Sequence, residues 1–130
     1  MSSPKQEVIR YRLEQAREAL DDAQFNLDAG RLSVASNRVY YAMFYAAVAL
    51  LATQDLSSSR HSGVIALFYE NFVRPGKFPR ALSHSLGKAL DMRTDTDYKV
   101  SVPPEPSKLD ELLESARAFV QKVEELIRTP

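Results

Sequence analysis

His61 and His84 are the only imidazoles in the chain, and histidine is the side chain that changes charge near neutral pH without help from its surroundings. Neither lies in a His-Glu-x-x-His or similar metal-ligand spacing. His84 reads as an ordinary surface residue, which leaves His61 as the candidate proton-transfer group. A second set is Arg93, Asp97 and Tyr98. A guanidinium at Arg93 suits a phosphate or an ion pair with Asp97, and Tyr98 suits stacking on a base; the alternative is an Arg–Asp clamp, closed by the tyrosine, that only fixes a connection. Asp91, Asp95 and Asp97 lack the glycine and distal glutamate of a calcium loop, so solvation of a helix end is their reading and no metal is expected. Without a Walker loop or a Gly-x-Gly-x-x-Gly run there is no glycine-rich phosphate cradle. The absence of cysteine excludes disulfides, Cys-ligated zinc, iron–sulfur clusters and a thiol nucleophile. No cofactor is expected.

The elements that must hold these residues are helical. Apolar positions Ile9, Leu13, Ala16, Leu20, Ala23 and Leu27 recur at steps of four and three, the stripe of an amphipathic helix, and Gly30 follows as its stop. A second helix, apolar on nearly every face, is expected over 33–53 with Ser33 as its cap, central in the bundle or shared with another subunit. A polar loop over 54–60 leads to a helix over 61–73, ended by Arg74-Pro75-Gly76. Pro79 suits the first position of a fourth helix reaching about residue 95. Pro103, Pro104 and Pro106 break regular structure before a fifth helix capped by Ser107, with Leu109, Leu112, Ala116 and Val123 inward. The expected fold is all-α, an up-and-down antiparallel bundle of four main helices plus a C-terminal fifth, in one domain over 1–130.

Formal charge balances at 17 basic and 17 acidic side chains, so bulk electrostatics do not mark a nucleic-acid binder. The middle, residues 30–93, nevertheless carries eight Lys/Arg against three Asp/Glu. The longest apolar run, 39–52, has fourteen residues where a bilayer span needs about 20, so it reads as a buried helix and not a membrane anchor. No apolar segment follows the charged amino terminus as a secretory signal would require, and a cytoplasmic protein is expected.

The densest stretch is Asn37-Arg38-Val39-Tyr40-Tyr41-Ala42-Met43-Phe44-Tyr45. Most of it is core, but buried tyrosines need hydrogen-bond partners, which implies a polar-lined seam. If short loops make successive helices antiparallel, His61 and Arg93 to Tyr98 share one pole of the bundle, with Asn37 and Arg38 near the opposite one.

Three motifs occur in order: Asn-Arg-x-Tyr-Tyr-Ala-Met-Phe-Tyr-Ala-Ala (37–47), Arg-His-Ser-Gly-Val-Ile (60–65) and Arg-x-x-x-Asp-Tyr (93–98). Together they resemble the HEPN domain superfamily, most closely its small stand-alone prokaryotic branch. The resemblance implies a dimeric helical bundle encoded beside a minimal nucleotidyltransferase, the pair acting as toxin and antitoxin, with the HEPN member acting on RNA. Active HEPN ribonucleases carry Arg, four to six residues, then His. Here Arg93 is followed by Thr94 to Lys99 without a histidine, and Arg80-x-x-x-His84 is one residue short. The leading expectation is thus a homodimeric HEPN-type module that binds a minimal nucleotidyltransferase and contacts RNA or a nucleotide through Arg93 and Tyr98. A second is a metal-independent endoribonuclease in which His61, Arg93 and Asp97 form a composite catalytic site. A third is a structural adaptor bundle that oligomerises through the apolar second helix.

Overall fold

The computed structural model describes residues 2–98 and 104–128, and for 95–98 only the helical backbone. Helix α1, Pro4–Asp28, starts with a reciprocal cap: the Gln6 N–H donates to the Ser3 hydroxyl at 3.1 Å and the Ser3 N–H donates to the Gln6 side-chain carbonyl at 3.0 Å, satisfying two donors that the first turn leaves open. Leu13, Ala16, Leu20 and Ala23 are buried along the expected stripe. Gly30 stops the helix at φ +76°, with the Arg31 N–H reaching back to the Asn26 carbonyl at 2.8 Å. Only glycine adopts that left-handed geometry without steric cost.

Helix α2, Leu32–Ala52, follows so closely that Arg31, not Ser33, holds the cap position, and Ser33 is exposed. Twelve of its residues are buried, and it packs against all the other helices. This is the central helix that its composition requires. It ends in a turn where Asp55 takes φ +58° and the Leu56 N–H donates to the Leu51 carbonyl at 3.0 Å. Asp is one of the few non-glycine residues that tolerates this conformation.

Residues 53–60 then double back. Helix α3, His61–Phe68, opens with the His61 ring 4.3 Å from Phe44, whereas Phe72, beyond its other end, lines a hollow with Leu50. α3 therefore runs in the same sense as α2. From Ala52 back to Phe44 is about 12 Å at 1.5 Å per residue, and eight residues of extended chain reach about 26 Å, so the loop has ample length. Ser58 locks it: its hydroxyl accepts from the Arg60 N–H at 3.2 Å and occupies the space in which a Cβ on Gly63 would stand.

The helix expected over 61–73 divides in two. α3 gives way to a π-helical turn, Tyr69–Val73, closed by the Arg74 N–H on the Tyr69 carbonyl at 2.8 Å. The wider turn brings Val73, five residues beyond Phe68, to the core beside Phe72. Helix α4, Arg80–Tyr98, extends beyond the expected end near residue 95. Helix α5, Pro106–Arg128, begins one residue before the expected cap; Ser107 donates to the Glu105 carboxylate at 2.9 Å instead. It buries Leu109, Leu112, Leu113, Ala116, Phe119, Val120 and Val123. Arg17 holds Glu124 with two hydrogen bonds of 3.1 and 3.0 Å, and Arg117 reaches Gln24 at 2.9 Å. Those pairings make α1 and α5 antiparallel. Phe68, Phe78 and Phe119 meet at 4.7 to 5.5 Å and close the core under α3.

The fold is thus an all-α bundle of five helices, without a strand among the described residues. No described helix is long and apolar enough to cross a membrane. Because a Cβ at Gly63 meets Ser58, Gly63→Ala should cost about 1–3 kcal/mol through overpacking, and Ser58→Gly in the same chain should recover most of it. Denaturation midpoints of the single and double variants check this; an unchanged midpoint in Gly63→Ala would remove the proposed lock.

Candidate functional site

Three elements converge on the middle of α2. Tyr40 is fully buried and Phe44 nearly so, whereas Tyr41 and Tyr45 lie half-exposed at the seam. The exposed His61 ring at the start of α3 covers this seam, 4.3 Å from Phe44, 5.6 Å from Tyr41 and 6.1 Å from Tyr40. Its Nδ1 lies 3.4 Å from the Tyr40 hydroxyl, a long hydrogen bond whose direction depends on the imidazole tautomer.

From α4, the Arg93 guanidinium lies 5.3 Å from the centroids of both Tyr40 and Tyr41. Arg38, one turn before Tyr41 on α2, lies 5.2 Å from the Tyr41 ring and donates to Asn37 Oδ1 at 3.1 and 2.7 Å. Each such cation–ring contact is worth about 0.5–2 kcal/mol, depending on how dry it is. Two guanidiniums are thus held over one tyrosine, with a histidine beside them.

This arrangement corrects the expectation that Asn37 and Arg38 lie at the opposite pole from His61 and Arg93. That expectation treated α3 as antiparallel to α2. The doubled-back loop instead delivers His61 alongside the middle of α2, and Arg93 meets α2 at the same level, one turn from Arg38. His61 and Arg93 do come together, since they share Tyr40 and Tyr41. The side chains of Asp97 and Tyr98 lie outside the described residues. His84 is exposed on α4, nine residues before Arg93 and hence about 13 Å away along the helix.

The residues that sequence reasoning left in the core are Tyr40, Tyr41 and Phe44, which form the floor of the site, with Arg38 at its edge. The signal was the tyrosine density in 37–47, and the polar partners it demanded are His61 and the arginines. Among the described residues no group of three or more His, Asp or Glu side chains is arranged to hold a metal ion. Chemically the cluster suits an anion: guanidinium edges can take phosphate oxygens in paired hydrogen bonds, and a base can stack on a guanidinium plane or on the exposed imidazole.

An all-α bundle whose second helix carries this cationic, aromatic seam is the class of protein that fold and site define. The profile of the HEPN domain family matches residues 9–126, and the chain belongs to that family. It is 39% identical to a UPF0332 protein of Thermotoga maritima over 95% of this chain and 93% of the relative. It is 30% identical to a Methanocaldococcus jannaschii protein named as a candidate toxin, over 94% of this chain and 90% of the relative. A second protein of that organism, also named as a candidate toxin, is 25% identical over 88% of this chain and 78% of the relative.

Burial pushes the Tyr40 hydroxyl up to about 12, against a smaller downward pull from Arg93 and with a further upward push from Tyr41. Folding therefore favours the neutral phenol. The unfolded tyrosine ionises near about 10, so this contribution to stability is complete below that pH and is lost as pH rises from about 10 to about 12. An absorbance titration at 295 nm should show a late tyrosine step in the wild type that Tyr40→Phe lacks. A wild-type curve finished by pH 11 would contradict the assignment.

Proposed function

We propose that this HEPN domain is the toxin-like member of a pair with a minimal nucleotidyltransferase, and that it binds RNA or a nucleotide at the Arg38–Tyr41–Arg93 cluster. The observation that carries this reading is the convergence of two guanidiniums on one half-exposed tyrosine, which concentrates positive charge where bases can also stack. The family match and the candidate-toxin names of two relatives support it. Tyr98, on the same helix as Arg93, is assigned to the ligand's base by the sequence motif. In this reading the module is a homodimer.

Fluorescence anisotropy with a labelled single-stranded oligoribonucleotide tests the site. Arg93→Ala and Arg38→Ala should each weaken binding by about tenfold, as expected for removing a charge-assisted phosphate contact worth about 1.4 kcal/mol. His84→Ala should leave affinity unchanged. Equal affinity in all variants would sink the assignment. Co-purification with a nucleotidyltransferase tests the partner, and light scattering tests the dimer against the 14.6 kDa chain.

A second reading, a metal-independent endoribonuclease, is favoured by the shared contact of His61 and Arg93 with Tyr40 and Tyr41. The cluster then holds a proton-transfer group next to a cation able to stabilise a phosphorane-like charge, with Asp97 the third member by sequence. RNA cleavage should fall at least about 100-fold in His61→Ala and persist in His84→Ala, the usual scale for losing a general acid or base. Cleavage unaffected by His61→Ala would leave binding alone as the function.

A further inference from the structure

Away from the tyrosine cluster, at the end of the bundle where α2 stops and α5 ends, two hollows adjoin. One, about 490 Å³, lies between the first turns of α1 and the end of α5. The other, about 470 Å³, lies between the end of α2, the π-helical turn and α5. Thr53 and Ile127 line both, so the two hollows share a wall and make a bipartite groove. Its floor is apolar, from Ile9 and Leu13 through Ile127 to Leu126, Leu50 and Phe72.

Its charge is one-sided. The rim carries Lys5, Arg10, Arg17 and Lys77, with no carboxylate among the lining residues. Two other surface hollows are mixed: Asp91 and Glu111 accompany Lys88 and Lys108 between α4 and α5, and Glu70 accompanies Arg74 and Arg80 beside the π-helical turn. Two of the rim cations are already answered, Lys5 by Asp55 at 3.3 Å and Arg17 by Glu124 at 3.0 Å. Arg10 donates to the Ser2 hydroxyl at 2.9 Å and Lys77 lies 6.0 Å from the Phe72 ring; neither has a carboxylate partner among the described residues. The groove therefore offers an uncompensated cation in each hollow, one on either side of a shared apolar floor.

We infer that this groove docks an acidic amphipathic segment of a partner protein, with the segment's apolar side chains in the two hollows and its carboxylates on Arg10 and Lys77. The volume suits a few large apolar side chains and is in the range of functional pockets, about 300–1,000 Å³. Apolar contact at helical spacing supplies affinity in such grooves, while charge complementarity selects the partner and speeds encounter. The inference is independent of nucleotide or RNA binding, because no residue of the Arg38–Tyr41–Arg93 cluster lines the groove.

The test uses the full chain and a fluorescein-labelled 15-residue peptide with leucine and phenylalanine at three- and four-residue spacing and glutamate elsewhere. The control peptide has lysine for every glutamate. Anisotropy should give saturable binding of the acidic peptide at least about tenfold tighter than the control, weakening with salt. Arg10→Glu and Lys77→Glu, both at exposed positions, should each reduce that affinity at least about fivefold, while Arg93→Ala should leave it unchanged. Equal affinity for both peptides, no saturation up to millimolar concentration, or indifference to both charge reversals would overturn the inference. Competition by oligouridylate that Arg10→Glu abolishes would do so too, because the groove would then be an RNA surface.

Discussion

Everything at the site depends on where the chain goes after α2. A turn stabilised by Asp55 in the left-handed conformation sends eight residues back along the helix they have just left, and the small volume of Gly63 lets Ser58 pin that return against α3. Had the loop run straight on, α3 would lie antiparallel to α2 and His61 would sit at the end of the bundle. Instead the imidazole rests on Phe44 in the middle of α2. Arg93 arrives at the same level from α4, so three segments far apart in sequence meet over two tyrosines.

The central position of α2 explains why that meeting place is stable. α2 contributes the largest share of buried residues and touches every other helix. Its aromatic residues serve two purposes, since Tyr40 is completely buried yet keeps its hydroxyl within 3.4 Å of His61. A buried phenol with a polar contact at its tip joins core and site, and the cost of ionising it in that setting is what raises its pKa to about 12. The arginines lie over the ring faces rather than against carboxylates of α2, which has none.

Much of the architecture was legible because helices announce themselves by period. The stripes of α1 and α5 were readable at most positions, Leu13, Ala16, Leu20 and Ala23 in one and Leu109, Leu112, Ala116 and Val123 in the other, and Gly30 marked a stop that its φ of +76° requires. The family resemblance rested on motifs that the profile match over 9–126 bears out. The direction of α3 was not legible. An eight-residue loop is long enough to go either way, and what fixes its return is the seating of His61 on Phe44 and of Phe72 beside Leu50, contacts that no periodicity encodes. For the same reason the level of Arg38 relative to His61 is not readable from helix order, whereas the structure brings His61 and Arg93 to the same two tyrosines. The π-helical turn was equally hidden, because it follows from packing Val73 and Phe72 together and not from any signal in Tyr69–Val73.

The division of α3 into an anchored end and a free end has a dynamic consequence. Phe68 is fully buried among Phe78 and Phe119, while His61 and Ser62 at the other end are exposed. Segments with few buried contacts open at lower free energy than the core that carries them. The first turn of α3, held by the His61 ring contacts and by buried Val64, is therefore expected to open at lower free energy than the Phe68 end. The imidazole of the seam thus rides on the less deeply anchored end of α3, and its place beside the tyrosines that Arg93 also meets depends on that turn's own ring contacts as well as on the stability of the domain as a whole.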